Sequence, residues 1–290
     1  MTAKALCTCV AAALVTQLSV AAWALSSGAA GSGEGTGSED VSNEANNPLT
    51  PKITINFQDQ WASQLYDSGS STNAFLFRGL IPVKLFGVGQ LFRFTLPVST
   101  VPTADGNTTG IGDLNLIDLI PTRFGSVEIG LGPQLTVPTA TSRETGTGKW
   151  QAGLSAVVIA PQKWGLLGAL ATWQTSIAGE SERPSVNTAT VQPFFIVNLP
   201  RGWYFRSTAT ATFDIQHDAY ALPLGAGLGH VRVLGSGTTV NLFLEPQWTL
   251  AHKGAGQPQF QLYAGVNLQF PLARGAAAAP VPAQTGTGKP

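Results

Sequence analysis

The sequence predicts an all-β protein, a closed antiparallel transmembrane β-barrel of 12 strands. Three observations point there. The run Phe260 to Phe270 alternates without a break, with Phe260, Leu262, Ala264, Val266, Leu268 and Phe270 apolar and polar or small residues between them. A period of two puts the first set on one face of a strand and the second set on the other. Alternating runs of this kind recur between residues 52 and 270, joined by connections that are short and long in turn. Finally, only 11% of the 290 residues are charged while 43% are hydrophobic. Soluble domains carry about 25% charge, so much of this surface is built for a medium other than water.

Taken in order, residues 1–24 read as a secretory signal peptide. Lys4 supplies the positive end, Val10 to Val20 the apolar core and Ala22-Trp23-Ala24 the small-x-small cleavage pattern. Both cysteines, Cys7 and Cys9, fall inside it, so the mature chain is expected to hold no disulfide and no cysteine metal site. Residues 25–51 are rich in Gly, Ser, Glu and Asn and read as a disordered leader. Residues 271–290 read as a flexible low-complexity tail. Outside the signal peptide, no stretch reaches the roughly 18 apolar residues of a membrane-spanning helix.

The barrel domain spans 52–270. Its strands are expected at 52–64, 74–85, 88–99, 112–122, 125–138, 149–160, 164–178, 187–199, 202–216, 219–233, 238–250 and 258–270. Tight turns such as Arg123-Phe124-Gly125 and Gly235-Ser236-Gly237 alternate with longer connections such as Thr100 to Ile111 and Thr139 to Gly148. Short periplasmic turns, longer external loops and an even strand count are the marks of an outer-membrane barrel. Such a strand can meet lipid only in a closed sheet, because nothing in lipid satisfies an open backbone edge. The expected lipid face carries sets such as Val127, Ile129, Leu131, Leu135 and Val137, with Trp and Tyr near strand ends as an interfacial girdle. Asp59 and Asp118 fall on the outward parity and fit it poorly.

The inward faces hold the candidate functional residues. Arg78, Lys84, Arg93, Glu128, Arg206, Asp214 and Glu245 are the expected lumen-lining or constriction residues. Pairing between them is the expected arrangement, because buried charges need partners. No catalytic constellation emerges. His217, His230 and His252 have no metal-ligand spacing, and no Gly-x-Ser-x-Gly elbow is present. Gly225, Gly227 and Gly229 lack the following helix that phosphate binding needs and instead relieve crowding or allow curvature. Zero net charge argues against a nucleic-acid partner. No cofactor is expected.

Two resemblances add to this. The closing run, with Tyr263, Gly265, Leu268 and Phe270, resembles the barrel-assembly signal that ends outer-membrane barrels, although a tail follows it here. The blocks Thr109-Gly110-Ile111-Gly112-Asp113, Val137-Pro138-Thr139-Ala140-Thr141, Gly146-Thr147-Gly148-Lys149-Trp150, Gln192-Pro193-Phe194-Phe195, Asn198-Leu199-Pro200-Arg201-Gly202-Trp203-Tyr204 and Pro223-Leu224-Gly225-Ala226-Gly227-Leu228-Gly229 resemble, over roughly residues 53–271, the outer-membrane transporter family named for the meta-pathway of phenol degradation. That resemblance implies passage of small, aromatic or otherwise hydrophobic molecules and brings no agreed site residues with it.

The expectation is therefore a passive outer-membrane channel, with outer-membrane lipid, lipopolysaccharide, the assembly machinery and a small solute as partners, and not an enzyme. The alternatives are a lipase-like barrel enzyme, which would need a serine or acid beside His217 or His230, and a structural or adhesive β-protein. Migration on a detergent gel separates barrel from soluble β-domain: a barrel runs faster unheated than boiled, and equal migration would contradict the reading.

Overall fold

The computed structural model describes residues 36–271. The expectations for residues 1–24, for the part of the leader at 25–35 and for 272–290 lie outside the described residues. Fifteen hydrogen-bonded segments make 12 crossings of one antiparallel sheet. They are β1 (Ile53–Leu65), β2 (Thr72–Leu85), β3 (Val88–Thr103), β4 in two pieces (Gly106–Ile111 and Leu114–Phe124), β5 (Val127–Val137), β6 (Lys149–Gln162), β7 (Gly165–Gly179), β8 (Asn187–Asn198), β9 in two pieces (Trp203–Ser207 and Ala211–Asp214), β10 in two pieces (Ala219–Gly225 and Gly227–Val233), β11 (Thr239–Lys253) and β12 (Pro258–Phe270). Each strand pairs with its sequence neighbours, and β12 returns to β1 from Ile53↔Phe270 through Trp61↔Leu262, which closes the cylinder.

The closing strand explains its own composition. Tyr263 points inward, buried, and donates its hydroxyl to Gln58 Oε1 at 2.8 Å. A Cβ at Gly265 would stand 2.6 Å from the Phe243 ring, so only glycine lets that ring pass. The one expected loop that fails is Thr100 to Ile111: β3 and β4 continue through it as a hairpin, from Val98↔Ile111 to Thr103↔Gly106. Asn107, Thr108 and Thr109 on this piece of β4 suit a ladder that projects beyond the membrane.

The outward face is apolar and uncovered. Leu131, Leu154, Leu224, Leu228 and Leu244 are each about half exposed or more. Trp61, Trp150, Trp173 and Trp248 sit toward the loop end, and Trp164 and Trp203 at the turn end, all partly exposed. A soluble sandwich does not leave so large a continuous apolar band in water, whereas a lipid-facing band between two aromatic girdles requires one. Asp59 and Asp118 do lie on this outward parity, both largely shielded by neighbours. The Gln90 side-chain amide, with its nitrogen turned toward Asp118, lies 2.8 Å from the carboxylate.

The inside departs from expectation. Toward the turn end the lumen is an apolar core: Leu80, Leu91, Ile117, Leu119, Val157, Ile159, Leu166 and Ile196 all point inward and are buried. They close around residues that had been read as disordered leader. Thr36–Asn46 forms helix α1, followed by the turn Asn47-Pro48-Leu49, and Ala45 and Leu49 belong to the core. The leader reading is thus corrected for 36–51. Low hydrophobicity alone suggested disorder, but the barrel supplies the missing apolar surface and the missing hydrogen bonds. A helix leaves its last carbonyls unpaired. Here Asn241 Nδ2 donates to the Ala45 carbonyl at 3.3 Å, Gln269 Nε2 to the Glu44 carbonyl at 3.4 Å, and Thr50 Oγ1 to the same Glu44 carbonyl at 2.9 Å. Asn198 Nδ2 reaches Asn43 Oδ1 at 3.0 Å, Asn47 Nδ2 reaches Glu128 at 2.8 Å, and Lys52 pairs with Glu44 at 2.7 Å.

One part of the wall is unlaced. β9 and β10 pair at Trp203↔His230 to Arg206↔Gly227 and again at Thr212↔Ala221 to Asp214↔Ala219. Between these, Ser207 to Ala211 and Leu222 to Ala226 have no ladder to each other, although Ser207, Ala211 and Leu222 to Gly225 still pair with the strands on their other sides. Glu245 of β11 fills the breach. It reaches across β10 and accepts from the Thr208 backbone N–H at 2.7 Å, the Thr208 hydroxyl at 2.7 Å, Arg206 Nε at 2.6 Å and Gln247 Nε2 at 3.2 Å. A Cβ at Gly225 would lie 2.0 Å from Glu245 Oε1, and one at Gly227 2.6 Å from the Glu245 Cα. The two glycines are the window through which the carboxylate passes.

Two outcomes follow. Glu245→Ala leaves Arg206 buried without its partner and should cost about 3–5 kcal/mol, read as a lower urea midpoint for loss of heat-modifiable migration. Asn241→Ala with Gln269→Ala removes the barrel's bonds to the helix carbonyls, about 1 kcal/mol each. Protease cleavage within 36–51 of the folded barrel should then rise roughly 30-fold, and no rise would contradict the docking described.

Candidate functional site

Above the helix the lumen opens into a chamber of about 540 Å³ that reaches the loops, and beside the helix lies a smaller space of about 120 Å³. Arg78, Arg93 and Gln192 line both and form the floor between them. Between the floor and the charged residues Asp113, Arg183 and Asp214 nearer the loops, the chamber wall is built of uncharged side chains that are largely paired with one another. Gln134 Nε2 donates to Gln174 Oε1 at 2.5 Å, Ser155 to Gln134 at 2.8 Å, Thr172 and Thr190 share a bond of 2.8 Å, and Gln261 donates to Gln247 at 2.9 Å. Interleaved with these hydroxyls and amides are Leu76, Pro97, Ile117 and Leu170. Polar groups already paired to one another compete weakly for a solute, so the wall offers a low-friction surface with apolar patches.

The roof is built from the sequence blocks around Asp113, Thr139 and Thr147. Asp113 accepts from the Thr147 N–H and hydroxyl, both at 2.7 Å, and from the Ala140 N–H at 3.3 Å. The Thr139 hydroxyl donates to the Gly112 carbonyl at 3.0 Å, and Thr145 to the Ile111 carbonyl at 3.0 Å. Arg183 lies buried across them, donating to the Thr147 carbonyl at 2.9 Å, the Arg143 carbonyl at 2.7 Å and the Gly146 carbonyl. A Cβ at Gly110 would crowd Thr141 Oγ1 at 2.7 Å. The glycines and threonines of these blocks therefore fold the loops inward. Arg183 itself sits in a loop without periodicity, and nothing in the sequence marked it.

The seven charged candidates do not form one ring. Arg78 and Arg93 stand at the floor. Arg206 and Glu245 are the latch of the unlaced wall, with the Arg206 guanidinium 3.7 Å over the Phe243 ring. Asp214 lies near the loop end and pairs with His217 at 2.8 Å. Glu128 lies at the turn end, bonded to Asn47 of the plug and to Arg123. Lys84 is exposed at the turn end of β2. Mutual pairing was expected, and Arg206–Glu245 is the one such pair. Height decides the rest: Glu128 and Asp214 lie near strand ends, where Arg123 and His217 are closer than any lumenal arginine. The two floor arginines are left without an ion pair among the described residues. Arg78 Nη1 donates to Gln58 Oε1 at 2.7 Å, while its buried Nε has no partner.

The three histidines stand apart, and an acid lies beside one of them, Asp214 at 2.8 Å from His217. His217 faces the chamber with Asp214, His230 contacts the Arg201 carbonyl at 3.2 Å, and His252 stacks on Tyr66. No serine hydroxyl is a hydrogen-bond partner of any of them among the described residues. Nor does any group of three His, Cys, Asp or Glu side chains there have metal-binding proximity.

No protein-family model and no curated protein matches the chain. Among solved structures, an outer-membrane channel from Pseudomonas putida F1 superposes with a TM-score of 0.58 at 17% identity, over 77% of this chain and 99% of that one. The β-domain of the Bordetella autotransporter BrkA gives a TM-score of 0.42 at 13% identity, over 75% of this chain and 100% of that one. Outer-membrane phospholipase A from Escherichia coli gives 0.40 at 11%, over 81% and 98%. The first likeness is one of fold, and the other two are too distant to carry weight. Sequence pattern, closed sheet and neighbour agree that this chain is a 12-stranded antiparallel β-barrel of the bacterial outer membrane.

Proposed function

We propose that the protein is a passive conduit for small molecules with apolar bodies, entering from outside and resting in the chamber. The observation that supports this reading best is the chamber itself. It holds about 540 Å³ beneath loops folded inward, with a wall of self-paired amides and hydroxyls broken by Leu76, Pro97, Ile117 and Leu170. Ligand sites of 300–1,000 Å³ with mixed apolar and polar lining are the usual form of small-molecule pockets. The overall likeness to an outer-membrane channel agrees with this and says nothing of the solute.

Straight passage to the periplasm requires α1 to move. The unlaced stretch of β9 and β10 offers a second way out, because Thr210 and Pro223 lie within it, Thr212 and Ala221 border it, and all four line the chamber. The two exits can be distinguished. Asn46 and Asn241 hydrogen-bond at 3.1 Å, so an Asn46→Cys/Asn241→Cys variant can be bridged by a short, reducible bis-thiosulfonate.

In porin-depleted Gram-negative cells, the chain should raise the initial uptake of labelled 4-phenylbutan-1-ol severalfold over the empty host. Equal rates with a heat-modifiable barrel present would refute the conduit. If α1 is the gate, bridging should cut uptake at least tenfold and reductant should restore it. Uptake that survives bridging assigns the exit to the side wall.

A further inference from the structure

Arg78 on β2 and Arg93 on β3 occupy diagonal positions of one antiparallel pair, Arg78 opposite Thr95 and Arg93 opposite Leu80, and both face the lumen. Like charges so placed repel, and a charge withdrawn from water needs a partner. Neither has one. Arg78 is steered by the Gln58 carbonyl oxygen, which also accepts from the Tyr263 hydroxyl, and its buried Nε is unpartnered. Arg93 has no side-chain hydrogen bond among the described residues. The acids of the lumen are committed elsewhere: Glu245 to Arg206 and Thr208, Glu128 to Arg123 and Asn47, Asp214 to His217, and Asp113 to the roof. Two fixed positive charges thus lie without an ion pair at the base of the chamber, while the other charged residues that line it, Asp113, Asp214 and Arg183, have partners of their own nearer the loops.

Their surroundings narrow the ligand. Leu76 lies one inward position above Arg78 on β2, Ile117 of β4 is registered directly opposite Arg93, and Pro97 and Leu170 complete an apolar patch facing the chamber. A cationic floor with an apolar wall matches a molecule that is anionic at one end and apolar along its length. Guanidinium pairs to carboxylate through two parallel hydrogen bonds. We propose that Arg78 and Arg93 form a binding site for the carboxylate of a small amphipathic acid, held head-down in the chamber. The proposal rests on the conduit reading and deepens it by naming the solute class. Gln58 acts as a positioning residue that holds Arg78 in place.

The test compares two molecules alike except at the head, 4-phenylbutyrate and 4-phenylbutan-1-ol. Binding to the purified full-length barrel in non-ionic detergent is measured by titration calorimetry, with empty micelles as blank. The acid should bind at least 10-fold tighter than the alcohol, the size expected of charge-assisted hydrogen bonds. That preference, read as the ratio of acid to alcohol affinity within each variant, should vanish in Arg93→Gln and in Arg78→Gln/Arg93→Gln. It should also vanish when pH is lowered far enough to protonate the acid. Heat-modifiable migration confirms that each variant is folded, and Arg93→Lys should keep part of the preference.

Equal binding of acid and alcohol overturns the carboxylate site and leaves the conduit intact. A preference that survives both Arg→Gln variants overturns it as well. Binding of neither molecule overturns it too, and the cell uptake measured with the alcohol then decides the conduit reading separately.

Discussion

Every strand of this barrel answers to one constraint: in hydrocarbon, a backbone N–H or carbonyl without a partner is far costlier than in water. That constraint closes β12 onto β1 and makes any break in the ladder an event to be explained. At the long break between β9 and β10 the explanation is a side chain. Glu245 stands in for the missing strand carbonyl at the Thr208 N–H, and Arg206 neutralises the carboxylate so that it can remain buried. Gly225 and Gly227 leave the space through which this carboxylate crosses the strand, while Gly229 makes room for the Tyr204 ring.

The interior is divided by height into regions with separate physical roles. Near the periplasm, apolar side chains and α1 make a core like that of a soluble protein. In the middle stand the arginines. Toward the outside, amides and hydroxyls satisfy each other and leave space. The plug and the chamber are therefore complementary: the helix removes volume where the lumen is apolar, and volume remains where the lumen is polar.

Most of the fold was legible from period-two alternation, because both faces of a membrane strand are constrained. All 12 crossings, the closure and the outward band follow from it. The plug was not legible from its own residues, since TGSEDVSNEAN has no apolar face to announce a docked helix. Its trace lies in the partner. Ala156 to Ala160, Leu166-Leu167 and Leu119-Ile120 are apolar on consecutive residues, and a strand apolar on both faces is buried on both faces. Lipid accounts for one face and something inside must account for the other. Charge pairing was misjudged for a different reason. Inward parity says that Glu128 and Arg93 share the lumen, but it does not say that they stand at different heights. Arg183 and the roof contacts depend on loop geometry, which has no period to read.

The docked helix also bears on the order of folding. The Asn241 amide meets the Ala45 carbonyl across 196 residues of chain, and Gln269 meets Glu44 across 225. Contacts of that separation form late, because the loop between them must first be fixed. Until β11 and β12 are in place, the segment at 36–51 has nothing to cap its carbonyls and no apolar wall to enter. A segment synthesised before any strand of the barrel is then the last to settle. On that order the cylinder would close around an open, wetted bore, and its lower half would dry last.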